Sequence, residues 1–337
     1  MKPATVNTFD VMHIVYLNGV LGSTLMLLLR ECEEHHGIYY PCLEAFFQQP
    51  WHFPDSHTKP AEIFNKNRES ASHAAVKAMA NELLTVYPGI RHWVETHRIL
   101  SMCRRIQGAR EALMALFDVC DTLEEARITF GEAMRPLAAQ LKVQIRTYMI
   151  KFVAAHGRDA VKPKHHELLH VPRQLLRDLA LLTCWTAERK HKTTLEIMGP
   201  IDNTRSYEKT SIGRLLAAQV SQLDNFRGVS YLEDPVTAIM AGSLYVSKAM
   251  RFQMTSLKIG QVCFIEQECW MIEACIERNC AFGFCGKRLK FEQASTSHAD
   301  MWNVPEARNT VLLQNNHKIR RARFWLFASS NTICVIR

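Results

Sequence analysis

KPKHHELLHVPRQLLRDLALLTCWTAERKHK, residues 162–192, is the stretch on which the reading of this chain turns. Within it, His166-Glu167-Leu168-Leu169-His170 is a literal H-E-x-x-H. On a helix that spacing turns two imidazoles toward one zinc ion, with the intervening Glu polarising a bound water. A third ligand is needed, and Glu188 lies eighteen residues beyond His170. Two prolines oppose this zinc-peptidase reading. Pro172 follows His170 by two residues, where a zinc-protease helix runs on undisturbed, and Pro163 puts the motif at a helix start. A chain with 15 His also meets such a pattern by chance. Zn²⁺ held by residues 166–170 in a metallopeptidase is kept as the alternative.

Outward from this stretch, 337 residues with 47% apolar content are enough for one or two sizeable cores. Forty-one Lys and Arg against 33 Asp and Glu leave a net charge of +8, which permits a polyanionic partner without demanding one. The eleven Cys are scattered, without any C-x-x-C, so a zinc ribbon is not supported. Their use suits a reducing compartment, where Cys serves as a small apolar residue. The apolar run 11–29 includes His13, Asn18 and Thr24, follows Asp10, and is succeeded by Arg30-Glu31-Cys32-Glu33-Glu34. That pattern predicts a buried segment rather than a leader or membrane span, hence a nuclear or cytoplasmic protein with no membrane partner.

Periodicity predicts a mainly α chain with a small C-terminal β module. Residues 8–10 are expected to end a strand, followed by a helix to about Cys32. Residues 37–60, rich in aromatics, Pro and His, are expected to form an ordered connection. Helical spacing runs over 74–84, 90–100, 109–117 and 123–156, with breaks expected at Pro88-Gly89, Gly108 and 118–122, and a kink at Pro136. Further helices are expected over 165–179, through Glu188 to about 197, and over 207–226. After Pro235, short β-branched and aromatic runs (257–264, 269–276, 281–291, 324–336) are divided by Gly260, Gly283, Gly286 and a polar stretch, 294–309.

Two blocks carry a family resemblance. Pro163-Lys164-His165-His166, with His170 and then Cys184-Trp185 and Glu188-Arg189-Lys190-His191-Lys192, resembles the carboxyl-terminal catalytic end of the En/Spm-like (CACTA) DNA transposases. Phe9-Asp10-Val11-Met12-His13-Ile14, followed by Leu17-Asn18-Gly19, is similar to that family's D-x-M-H block. The resemblance spans about residues 8–226. It implies a DDE-type enzyme that cuts and rejoins DNA strands with two Mg²⁺ or Mn²⁺ ions. Hard cations of this kind want convergent carboxylate oxygens.

By resemblance Asp10 is the second catalytic Asp and Glu188 the closing Glu, both metal ligands. The implied architecture is the remnant of an RNase H-like core with a large helical insertion: core residues 1–36, insertion 37–157, closing helices 158–230, and a β-rich module 231–337. Lys164, Arg173, Arg177, Arg189, Lys190 and Lys192 are the expected contacts to DNA phosphates. Eight Lys or Arg against four Asp or Glu over 158–192 agree with that. His13, His165, His166, His170 and His191 would support the carboxylates or meet DNA. The bland reading makes Asp10 a helix cap and Glu188 a solvated carboxylate paired with Lys192.

The family's first Asp lies well upstream of its D-x-M-H block, so the chain is expected to be truncated at its amino end and inactive alone. Its partner would be transposon-end DNA. Apolar faces deprived of the central sheet must repack on the helical insertion or favour self-association. A non-catalytic DNA-binding remnant is the third reading.

Overall fold

Asp10 holds the chain at the start of a helical turn, in a computed structural model that describes residues 9–37, 40–52, 59–65, 75–97, 104–181, 183 and 216 and, beyond 230, residues 231–233, 236–237, 244–252, 255–278, 281–294, 299–313, 319–321, 324–327 and 332–336. Two compact units divide the chain, residues 1–185 and 186–337.

The first unit is helical, and among its described residues there is no β-strand. The strand end expected at residues 8–10 is therefore not seen at Phe9 and Asp10. Residues Met12–Tyr16 form a π-helical turn, and the chain reverses through Leu17-Asn18-Gly19 with Asn18 at φ 48°. At Gly19 a Cβ would fall 2.4 Å from the Ile14 carbonyl oxygen, so only glycine fits. Helix α1 (Val20–His36) then runs to Gly37, whose φ of 64° closes it with a left-handed cap. The single helix expected over 11–32 is thus a turn, a reversal and a longer helix. By length and composition, residues Met12–His36 are apolar enough to cross a membrane, yet 78% of the most apolar window is buried inside the protein. Its apolar stripe packs on α5 (Arg104–Ala126).

Helices α2 (Tyr40–Gln48) and α3 (Pro60–Ile63) occupy the segment expected to be a connection. Phe47 stacks on Phe64 with ring centres 5.4 Å apart, which gives α2 a reason to form. Helix α4 (Ala80–Thr96) continues through Pro88-Gly89. Pro88 loses one backbone hydrogen bond, but Tyr87, Ile90, Trp93 and Val94 around it are buried, and that burial outweighs the loss.

Helix α5 likewise passes through both expected breaks, Gly108 and 118–122. Asp118 and Asp121 lie three residues apart on one helical face, where they grip the buried Arg91 of α4 at 2.7 Å and 2.6 Å. What looks like turn chemistry is an ion clamp. The real turn comes at residues 127–130, before α6 (Met134–His156). Pro136 is the third residue of α6, in the first turn, where its missing N–H has no helical partner and no kink is needed. Helices α5 and α6 form a hairpin, tied by Thr122 and Gln144 at 2.7 Å. Tyr148 of α6 hydrogen-bonds Thr24 of α1 at 2.8 Å. One core of buried residues, from Val11 to Leu175, joins all these elements.

The helix expected over 165–179 is two: α7 (Pro163–Leu168) and α8 (Val171–Asp178). Pro172 is the second residue of α8, so the chain restarts its helix there rather than bending through it.

In the second unit the described residues from 231 onward form antiparallel β-structure. Its strands are β1 Tyr231–Glu233, β2 Val236–Thr237, β3 Leu244–Ser247, β4 Ala249–Phe252, β5 Thr255–Lys258, β6 Val262–Ile265, β7 Glu268–Arg278, β8 Ala281–Arg288, β9 Lys290–Ala294, β10 Ala299–Asn303, β11 Asn309–Leu312, β12 Ile319–Arg321, β13 Phe324–Phe327 and β14 Thr332–Ile336. One sheet runs β11-β8-β7-β3-β2, with β6 on β7 and β12 on β6; another runs β13-β14-β10-β9; a third is β1-β4-β5. Gly260 sits in a turn at φ 81°, as its place between runs leads one to expect. Gly283 and Gly286, expected as dividers, are inside β8 instead. A Cβ there would lie 2.1 Å from the Val311 carbonyl oxygen or 2.4 Å from that of Met271. The polar stretch 294–309 contains β10, anchored by the buried Trp302. The helices expected through Glu188 and over 207–226 lie outside the described residues, apart from Leu216.

Candidate nucleic-acid and metal site

Residues 9–17 and 164–174, the described parts of the two blocks of sequence singled out above, meet in space. Gln174 of α8 is buried, and its side-chain amide satisfies both backbone polar groups of Phe9. The Phe9 N–H donates to Oε1 at 2.6 Å, and Nε2 donates to the Phe9 carbonyl at 3.0 Å. The Phe9 ring lies flat against His170, centres 5.2 Å apart. From α7, the Lys164 ammonium donates to the carbonyls of His13 at 2.7 Å and Leu17 at 2.8 Å. These carbonyls end the π-helical turn, where a cation offsets the local negative end of the backbone dipoles. Removal from water holds the Lys164 pKa below the ordinary lysine range, against the nearby Glu167 carboxylate.

Asp10 is thereby fixed beside α8. Its Oδ1 accepts the Met12 N–H at 3.1 Å and its Oδ2 pairs with Nδ1 of His13. The carboxylate caps the turn, and neither residue is fully buried. His165, by contrast, has no exposed surface. Its Nδ1 accepts the Lys162 N–H at 3.1 Å, its ring packs on Phe152 and Tyr148, and burial pushes its pKa down to about 4. It is a neutral core residue that shapes the start of α7.

His166 and His170 point the same way across the gap between α7 and α8, with Nε2 atoms 3.2 Å apart. The H-E-x-x-H motif therefore straddles a helix break rather than riding one helix. Among the described residues, the group of three potential ligands close enough to share an ion is Glu31, Glu34 and His35, not one that includes this pair. Glu31 of that group is already paired with Arg105 at 2.8 Å.

Of the expected DNA contacts, Lys164 has its ammonium committed to two carbonyls, Arg173 is exposed, and Arg177 is exposed and forks onto Asp178. Glu188, Arg189, Lys190, His191 and Lys192 lie outside the described residues. Sequence reasoning missed Gln174, which organises the junction. The available signal was a polar residue at an apolar position of α8, three beyond Val171 and next to Leu175, both buried.

No family model, no curated protein and no solved structure matches this chain.

Proposed function

We propose that this chain is a transposase-derived protein of the DDE type, acting on DNA through a carboxylate site that holds Mg²⁺ or Mn²⁺, with Asp10 and Glu188 as ligands. One observation carries the reading. Residues 9–17 and 163–174, about 150 positions apart, belong to the two blocks that resemble the CACTA transposases, and they are in contact through Gln174, His170 and Lys164. Glu188, further along the second block, lies outside the described residues. Residues 9–36 and the segment after 158 would then belong to an RNase H-like core, with 37–157 as its helical insertion.

Asp10 and Glu188 would hold the divalent ions, and the chemistry these would supply is activation of the attacking oxygen and stabilisation of the leaving one in phosphodiester cleavage. Asp10 would present Oδ2 with His13 beside it as hydrogen-bond partner. Cation binding tests the two proposed ligands directly. The full chain should bind Mn²⁺ in a titration followed by electron paramagnetic resonance, and Asp10→Asn and Glu188→Gln should each abolish it. Equal Mn²⁺ binding by the wild type and both variants would sink the proposal.

A second reading has one observation in its favour, the convergence of the His166 and His170 imidazoles. One equivalent of zinc retained through purification and lost in His166→Ala would move the assignment to a zinc peptidase.

A further inference from the structure

Helix α6 is 23 residues long and carries Arg135, Lys142, Arg146 and Lys151 without a single Asp or Glu. Helix α5 has the same length and sets Arg104, Arg105 and Arg110 against Glu111, Asp118, Asp121, Glu124 and Glu125. Exposed helix faces ordinarily interleave the two signs, because like charges at neighbouring turns repel. The buried stripe of α6 (Leu137, Leu141, Ile145, Tyr148, Phe152) fixes which face is outside. On that outer face Arg135, Ala139, Lys142 and Arg146 succeed each other at steps of four, three and four, and all are exposed. Three of the four are cations, and the small Ala139 between them leaves the backbone of the helix open to approach. At about 1.5 Å per residue, this line extends roughly 16 Å along the helix.

Arg135 is paired with Glu132, whereas Lys142 and Arg146 form no ion pair among the described residues. The flanking Gln140 and Gln144 turn toward Thr122 of α5, so they bring no charge. Helix α8, packed on α6, adds the exposed Arg173 and the Asp178-paired Arg177. Unbalanced cations along a rigid helix cost self-repulsion, which an external polyanion relieves. An anionic membrane is a poor fit, since such a helix binds lipid through its apolar face, and here that face is the core of the unit.

We infer that the solvent face of α6 is a docking track for the sugar-phosphate backbone of double-stranded DNA, contacted by Lys142 and Arg146. The inference rests on the reading of the chain as a DNA-acting protein, but not on its metal site. Duplex DNA carries about one negative charge per 1.7 Å of axis, so a line of this length always faces several phosphates and needs no base-specific register. Val143 and Ile150, 66% and 62% exposed, sit beside the cations and can lie against deoxyribose.

The test is fluorescence anisotropy of the full chain on a labelled duplex of about 30 base pairs, between roughly 50 and 200 mM salt. Replacing both cations (Lys142→Gln with Arg146→Gln) keeps good helix formers at exposed positions, and circular dichroism should report an unchanged melt. The expected result is a binding constant at least about tenfold weaker at 100 mM salt, with a log–log salt slope shallower by about 1.8. A control pair in the other unit, Lys248→Gln with Lys290→Gln, should leave both quantities unchanged. An unaltered slope in the α6 variant, the same change in the control pair, or equal loss on single-stranded RNA would overturn the inference. Mn²⁺ binding at Asp10 and Glu188 is measured without DNA, so the two readings fail separately.

Discussion

Gln174 closes both backbone hydrogen bonds of Phe9 from 165 residues away, and this one side chain joins the start of the described chain to helix α8. A buried amide with both ends satisfied adds little net stability, but removing it orphans a donor and an acceptor at once. Gln174→Leu is accordingly expected to loosen residues 9–17 by about 2–4 kcal/mol of local opening free energy. Amide hydrogen exchange on the full chain checks this: faster exchange confined to the π-helical turn and its neighbours is expected, with α5 and α6 unaffected.

Asp10 has a structural duty whether or not it holds a metal, because its carboxylate caps the turn through the Met12 N–H. Asn keeps that cap and Ala does not, at a cost of about 1 kcal/mol. Asp10→Asn should therefore match the wild type in thermal stability while losing Mn²⁺, whereas Asp10→Ala loses both. Retention of Mn²⁺ by Asp10→Asn would reduce the residue to its capping role.

Arg91 is buried while its partners Asp118 and Asp121 reach solvent. Removing the acids leaves a charge stranded inside, with Glu95 at 3.6 Å as its remaining partner; removing the arginine leaves acids that water can hydrate. Asp118→Asn with Asp121→Asn should cost on the order of 3 kcal/mol, and Arg91→Met distinctly less. Urea denaturation followed in the helical signal ranks the two, and the reverse order would contradict the burial argument.

His165 is buried neutral with a folded pKa near 4, below the ordinary 6.5. The unfolded chain binds the extra proton first, so this group's stabilisation is intact above about pH 6.5 and declines as pH falls toward 4. The loss amounts to order 3 kcal/mol at most over that window. Thermal melts between pH 7 and 4 should show a fall that is shallower in His165→Phe. An equally steep fall in that variant would place the acid sensitivity elsewhere; His92 and His156 are also held below their ordinary pKa by burial.

The helical character of residues 80–96 and 104–156, and the β character of the described residues from 231 onward, were legible because apolar spacing follows the burial that tertiary packing imposes. The boundaries were not. Pro88-Gly89, Gly108 and Asp118–Thr122 carry the local chemistry of turns, and each was overruled by something distant: a buried face in α4, the α5–α6 hairpin, or the guanidinium of Arg91. Gly283 and Gly286 signalled punctuation, but they mark close approach of neighbouring backbones within a sheet. At the candidate site, residue type and order singled out Asp10 and the His-rich block for attention. Their junction was not foreseen, since it depends on Gln174 pairing with backbone atoms of Phe9, and its sequence signal was one polar residue among the apolar positions of α8.

Whether Asp10 and Glu188 share a cation is tested most directly by replacing that cation with Fe²⁺ and adding ascorbate and peroxide, so that radicals cut the backbone beside the bound metal. Mass spectrometry of the fragments should find cuts at residues 9–11 and 187–189 together, both suppressed by excess Mg²⁺ and both lost in Glu188→Gln. Cleavage at one position without the other, or a pattern that ignores Mg²⁺ and the variant, would contradict the account.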